Sequence, residues 1–219
     1  MTSNPLDTDA PGLVHLSLTD SVHHTLRRRI LNNELGAGTR LVEANLAEEL
    51  GVSRGTVRVA LRQLATEGLV DIAPRRHSVV TRMSYADIED ACYARYVLEE
   101  GAMRAIPASR LAELADELCR VTESMEQAAR TGDLAAIVDL DTAYHGCIVE
   151  VSGKQRLAGL WSTLDGQMGA LMRSSMEDQH IGLPEAVGRH RDLAEVIRSA
   201  DRAAMAEALY GHYLRTPAP

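Results

Sequence analysis

Residues 51 to 70 read GVSRGTVRVALRQLATEGLV, and this stretch constrains the fold of the chain more than any other. Val57, Leu61, Leu64 and Gly68 recur at spacings of three and four, which at 3.6 residues per turn gives one apolar stripe. Arg54, Arg58 and Arg62 recur every fourth residue and form a cationic fan on another side. Ser53 supplies the cap at the start. Just before it, LVEANLAEELG makes a short helix with Leu46, Ala47 and Leu50 inward and Gly51 at its end. Two helices joined by Gly-Val-Ser are the pairing of a helix-turn-helix, whose second helix enters the DNA major groove.

The neighbouring segments extend this unit. Thr19 or Asp20 is expected to cap a preceding helix with Val22, Leu26, Ile30 and Leu31 on one face, running to Gly36. After Gly68, LVDIAPRRHSVVTR gives two short β-rich pieces, Leu69–Ala73 and Ser78–Arg82, around a basic tip. Three helices and a hairpin describe a winged helix-turn-helix.

Charge separates this region from the rest. The chain has 219 residues and a net charge of −8, an acidic balance that opposes nucleic acid only if it is spread evenly. From Ser21 to Arg82 there are ten arginines against six acidic residues, a local +4, so the remainder carries −12. A basic first third on an acidic remainder predicts two domains with different partners. Arginine at outward positions of a capped helix suits bidentate contact with guanine edges and phosphates.

From SYADIEDA onward the periodicity is helical to the end. Helices are expected near 85–106, 109–131, 133–152, 154–176, 184–199 and 201–215, with breaks at PAS, TGD, SGK, GLP and SAD. The fold class is therefore mainly α: an N-terminal winged helix-turn-helix and a C-terminal all-α antiparallel helical bundle. The boundaries read as a flexible arm at 1–16, the DNA-binding domain at 17–82 and the helical domain at 83–219.

With no run of about 18 apolar residues and no basic-apolar leader at the start, no membrane segment is predicted and the cytoplasm is expected. Cys92, Cys119 and Cys147 are too dispersed for a disulfide framework and suit reduced thiols.

The helical half has its own chemical signal. DLDTAYHGC places Asp141 and His145 at i and i+4, so a carboxylate and an imidazole can reach one ion. His190 and His212 flank a break near Asp201 at equal distances, so two antiparallel helices joined there hold both at one height. One Asp and three His can thus converge, although each histidine alone also reads as an ordinary core or surface residue. His15, His23, His24 and His180 have no such placement. The set suits Zn2+ first, with Ni2+ or Mn2+ as alternatives.

AGTRLVEANLAEELGVSRGTVRVALRQLATEGLV closely resembles the N-terminal domain of GntR-type transcriptional regulators, and the match runs from about Val22 to Thr81. The resemblance implies DNA-contact roles for Arg40, Ser53, Arg54, Thr56 and Arg58, and for Arg76 and His77 on the wing. Ala37 departs from the family's proline, and His77 stands where many members have glycine. Residues 85 to 215 resemble the FCD effector domain of the FadR branch, from YARYVLEEGAMRA through the Asp-x-x-x-His motif to the two later histidines. That implies a divalent metal on Asp141, His145, His190 and His212, and a small carboxylate effector met by Arg95, with Arg173 a second candidate. Lys154, Arg189 and Tyr144 depart from the usual pattern around the site.

These readings lead to a metabolite-responsive transcriptional regulator that is not an enzyme, acting as a homodimer on double-stranded DNA with an inverted-repeat operator. Two alternatives stay open: a DNA-tethered metal-dependent hydrolase, with Glu150 or Asp192 as base, and a constitutive DNA-binding protein with a structural metal. No nucleophile elbow, phosphate loop or dinucleotide fingerprint occurs.

Overall fold

Ser17, rather than Thr19 or Asp20, opens the first helix of the computed structural model, which describes residues 17–72, 78–165, 169–172 and 182–214. The Ser17 hydroxyl accepts from the Asp20 amide, and the Asp20 carboxylate reaches back to the Ser17 N–H, a reciprocal capping box. Helix α1 (Leu18–Leu31) buries Val22, Leu26, Ile30 and Leu31, the face expected from the spacing. It stops before Gly36 because Asn33 turns into the left-handed region at φ 60°.

Helices α2 (Glu43–Leu50) and α3 (Arg54–Thr66) are separated by Gly51, at φ 65°, and by Ser53, whose hydroxyl accepts from the Thr56 amide. Gly51 takes the left-handed conformation that lets the chain leave α2 and re-enter helix three residues later. Val57, Ala60, Leu61 and Leu64 of α3 are buried against α1. Three strands follow the order β1 (Arg40–Leu41), β3 (Ser78–Val80), β2 (Val70–Ile72), antiparallel throughout. The hairpin of β2 and β3 matches the sequence expectation. Strand β1 is an addition, too short for any alternation to show in sequence. The wing tip, with Arg76 and His77, lies outside the described residues.

The second half contains α4 (Tyr85–Ala105), a single 3-10 turn, α5 (Leu111–Thr131), α6 (Leu134–Val151) and α7 (Gln155–Asp165). A short helical piece at 169–172 precedes α8 (Leu183–Arg198) and α9 (Arg202–Leu214). Ser84 and Asp87 form a capping box on α4, and Asp133 caps α6. The expected helix over 154–176 is described only as α7 and residues 169–172.

Two large cores organise the described residues. Leu114, Leu118, Tyr144, Ile148, Leu193 and Ile197 fill the bundle. The other core joins α1, α3 and the sheet to Met125 and Ala128 of α5 and to Leu134, Ile137 and Val138 of α6. The winged unit therefore rests on α6. At Gly169 an added Cβ would stand 2.9 Å from a Leu31 methyl, so glycine permits that close approach. Arg27 spans the junction, with Nη2 2.7 Å from Asp139 on α6 and Nε 3.0 Å from Glu67 at the end of α3.

Candidate functional site

On α3, Arg54, Arg58 and Arg62 are all exposed. They are not equivalent. Arg58 donates from Nε and Nη2 to the Glu43 carboxylate on α2, at 2.9 and 2.6 Å, so its guanidinium is aimed by a neighbour. Hydrogen bonding from Arg58 holds the Glu43 carboxyl below its ordinary value. Ser53 and Thr56 share a hydroxyl contact at 2.9 Å at the start of the helix. Arg40 is exposed on β1 opposite Val79 of the wing strand. These residues line the N-terminal half of α3 and the adjoining sheet edge. Glu43 escaped the sequence reading because its partner lies 15 positions away on another helix.

The helical half brings its four candidate ligands together. His145, His190 and His212 each offer a ring nitrogen, and these atoms lie within 4.8 Å of one another. His145 Nε2 stands 3.2 Å from His212 Nε2, and His190 Nε2 stands 2.9 Å from Asp141 Oδ1. Tetrahedral ligands on bonds of about 2.0–2.1 Å stand roughly 3.3 Å apart, which is this scale. Between the end of α8 and the start of α9 the chain turns at Ala200, in the left-handed region at φ 57°. That reversal brings the His190 and His212 rings to 4.6 Å between centroids.

The tautomers can be assigned from what surrounds the rings. His190 Nδ1 is 2.9 Å from the Ala186 carbonyl, which only accepts, so Nδ1 carries a proton and Nε2 is the nitrogen turned to Asp141. His145 Nδ1 is 2.7 Å from Glu99 Oε2, which likewise places its proton on Nδ1. Burial, reinforced by the His190 and His145 rings, keeps His212 well below the usual imidazole value and therefore neutral, the form that coordinates metals. Burial pushes the Asp141 carboxyl up, but His145, His190 and Arg95 more than offset this and hold it well below the usual carboxylate range.

A second set of buried groups surrounds these ligands. Arg95 is 1% exposed, with Nη2 3.6 Å from Glu99 and 3.7 Å from Asp141. Its guanidinium lies over the Trp161 ring at 4.8 Å, and its Nε donates to the Tyr213 hydroxyl at 3.1 Å. Arg95 is thus already engaged by two carboxylates at the edge of the cluster. Arg173 lies outside the described residues. Sequence reasoning missed Glu99, Trp161 and Tyr213. One signal was available: Glu99 sits four residues after Arg95, a charged pair on one face of α4. Glu150 and Asp192, the acids weighed as hydrolytic bases, are exposed, whereas His145 and His190 are buried and His212 is partly buried. Among the described residues no helix is long and apolar enough to cross a membrane.

Similarity to known proteins covers both halves. Residues 18–80 match the bacterial regulatory proteins of the gntR family, and residues 90–215 match the FCD domain. An HTH-type transcriptional regulator from the unstable DNA locus of Streptomyces ambofaciens is 33% identical over 186 residues, covering 82% of this chain and 75% of that protein. The gluconate operon transcriptional repressor of Bacillus licheniformis is 25% identical over 192 residues, covering 86% and 79%. Among solved structures, Escherichia coli McbR/YncC superposes with a TM-score of 0.65 at 25% identity, over 90% of this chain and 94% of that one. With a basic helix-turn-helix packed on an all-helical half, and both halves matched, the chain belongs to the GntR family of bacterial transcriptional regulators, in the branch that carries an FCD domain.

Proposed function

We propose that this regulator senses a small carboxylate metabolite at a divalent metal ion held by Asp141, His145, His190 and His212, and that occupancy sets its operator affinity. One observation carries the reading. His190 Nε2 faces an Asp141 carboxylate oxygen across 2.9 Å, so either a proton or a cation lies between the two. A proton satisfies that one pair, but two further histidine rings converge on the same point and favour a metal. A bound ion supplies an electrophilic centre with coordination positions left for the effector's carboxylate. Three imidazoles and one carboxylate favour Zn2+, ahead of Ni2+ or Mn2+. Arg95 borders Asp141 and is assigned the effector's negative group.

DNA reading is assigned to Arg40, Ser53, Arg54, Thr56 and Arg58. One recognition helix covers too few base pairs for useful specificity, so two chains are expected to pair through their acidic helical halves on an inverted repeat. Alanine at Arg54 or Arg58 is expected to weaken binding to the specific operator about 5- to 150-fold, while alanine at Arg62 acts mainly through salt dependence. Equal, small losses for all three on specific and random DNA would remove sequence reading from this helix.

The route between the halves is assigned to α6, which packs against α1. Asp139 is two residues before Asp141 and grips Arg27, which also holds Glu67 at the end of the recognition helix. An effector moves this joint only as far as it binds one state better, which for a typical coupling changes operator affinity about 5- to 150-fold. The test is to titrate operator DNA with and without Zn2+ and a panel of carboxylates, in the wild type and in Arg27→Met. The expected result is an effector-dependent shift in the wild type that shrinks in Arg27→Met. Operator affinity indifferent to Zn2+ and to every carboxylate would make the protein a constitutive DNA binder.

A further inference from the structure

Glu99 is fully buried, at 0% exposure, and its two oxygens serve different partners. Oε2 lies 2.7 Å from His145 Nδ1 on α6. Oε1 accepts from the Trp161 indole N–H on α7 at 2.7 Å and from the Tyr213 hydroxyl on α9 at 2.6 Å. One carboxylate on α4 therefore ties three other helices around the histidine cluster. A carboxylate can only accept, so the proton shared with His145 belongs to Nδ1, and Nε2 is left with its lone pair toward His212 and Asp141. The Tyr213 hydroxyl also lies 3.0 Å from His145 Nδ1, but its proton is given to Glu99, so toward His145 its oxygen can only accept, which again calls for a proton on Nδ1.

We infer that Glu99 is the positioning residue that fixes the tautomer of His145, so that Nε2 is the nitrogen presented to the metal. The inference rests on the metal reading above only for its consequence; the tautomer itself needs no metal. Glutamine separates this role from simple packing. It matches glutamate in size, and its carbonyl oxygen can accept from both Trp161 and Tyr213. Its amide nitrogen must then face His145 and donate to Nδ1. That reverses the hydrogen bond and moves the imidazole proton to Nε2, which removes the ligand lone pair without emptying space in the core.

The experiment uses the full chain stripped of metal with a chelator. Nitrogen-15 imidazole NMR at pH 8, with the His145 signals identified by their loss in His145→Gln, reads the proton position directly. The wild type is expected to show Nδ1–H, and Glu99→Gln to show Nε2–H. Zn2+ affinity, measured by competition with a chromophoric chelator, is expected to fall about 10- to 100-fold in Glu99→Gln, the usual loss on removing a ligand-orienting partner. Trp161→Phe, which leaves the carboxylate on His145, should keep the Nδ1–H signal. A wild-type His145 protonated on Nε2, or on both nitrogens, overturns the inference, and so does an unchanged tautomer in Glu99→Gln. Zn2+ bound by the wild type, lost in His190→Ala and bound at full affinity by Glu99→Gln overturns the role of Glu99 alone. No Zn2+ binding by the wild type overturns the metal reading as well.

Discussion

A His190→Ala chain is expected to emerge from purification without metal and without a response to any carboxylate, yet still to bind its operator. His190 gives Nε2 to the cluster and anchors Nδ1 on the Ala186 carbonyl one turn earlier, so the ring cannot be replaced by a neighbour. Losing a ligand-orienting group costs about 10- to 100-fold in metal affinity, and losing the ligand itself should exceed that. The fold has reason to survive. The backbone carbonyl of residue 190 still accepts from the Tyr144 hydroxyl, and Leu193, Ala194 and Ile197 still hold α8 in the core. The recognition helix packs in a different core, against α1, and is not touched by the change. Elemental analysis and operator titration on the same preparation check this. A variant with a full metal complement and a normal effector response would remove His190, and with it the proposed site.

The parts of this molecule that were legible in sequence are those fixed within one turn or one helix. Gly51 and Ser53 mark the turn before α3 because each acts on backbone within three residues of itself. Val57, Leu61 and Leu64 state their burial in their spacing. The pairing of His190 with His212 was legible for a similar reason: a short antiparallel hairpin puts residues equidistant from its turn side by side.

What sequence did not give is set by partners far along the chain. Glu99 meets His145 46 positions away, Trp161 62 away and Tyr213 114 away, and no local period encodes such meetings. Arg58 pointed outward in the helical pattern, but its partner Glu43 belongs to α2. Strand β1 exists because β3 lies beside it, not because Arg40 and Leu41 favour extended backbone. Packing puts α6 against α1, with Arg27 as the bridge, a meeting of residues more than 100 positions apart. Short-range rules recover elements and their inward faces; charge pairing across the core is a tertiary property.

Arg95→Met, studied with chelator present, is expected to lose about 3–5 kcal/mol of folding stability, because removing one partner of a buried ion cluster strands the others. Methionine keeps most of the volume against Trp161 but leaves Glu99 and Asp141 without the guanidinium 3.6 and 3.7 Å away. The pH dependence has a definite sign. The folded protein holds Asp141 below its ordinary value of 3.8, so the stability linked to it is present above about pH 4 and is lost as pH falls toward the depressed value. Arg95 is one of the groups that depress it. The gap between wild type and variant should therefore be full at pH 7 and narrow in acid, where protonated carboxylates no longer need a counter-charge. Urea unfolding at pH 7 and pH 3 measures this, and a gap that widens in acid would show that Arg95 acts by packing alone. Zn2+ is expected to behave differently in the two proteins. A divalent ion beside Asp141 restores positive charge where the guanidinium was, and ligand binding stabilises the state that binds it. Added Zn2+ should thus recover more stability in Arg95→Met than it adds to the wild type, while the response to carboxylates stays lost.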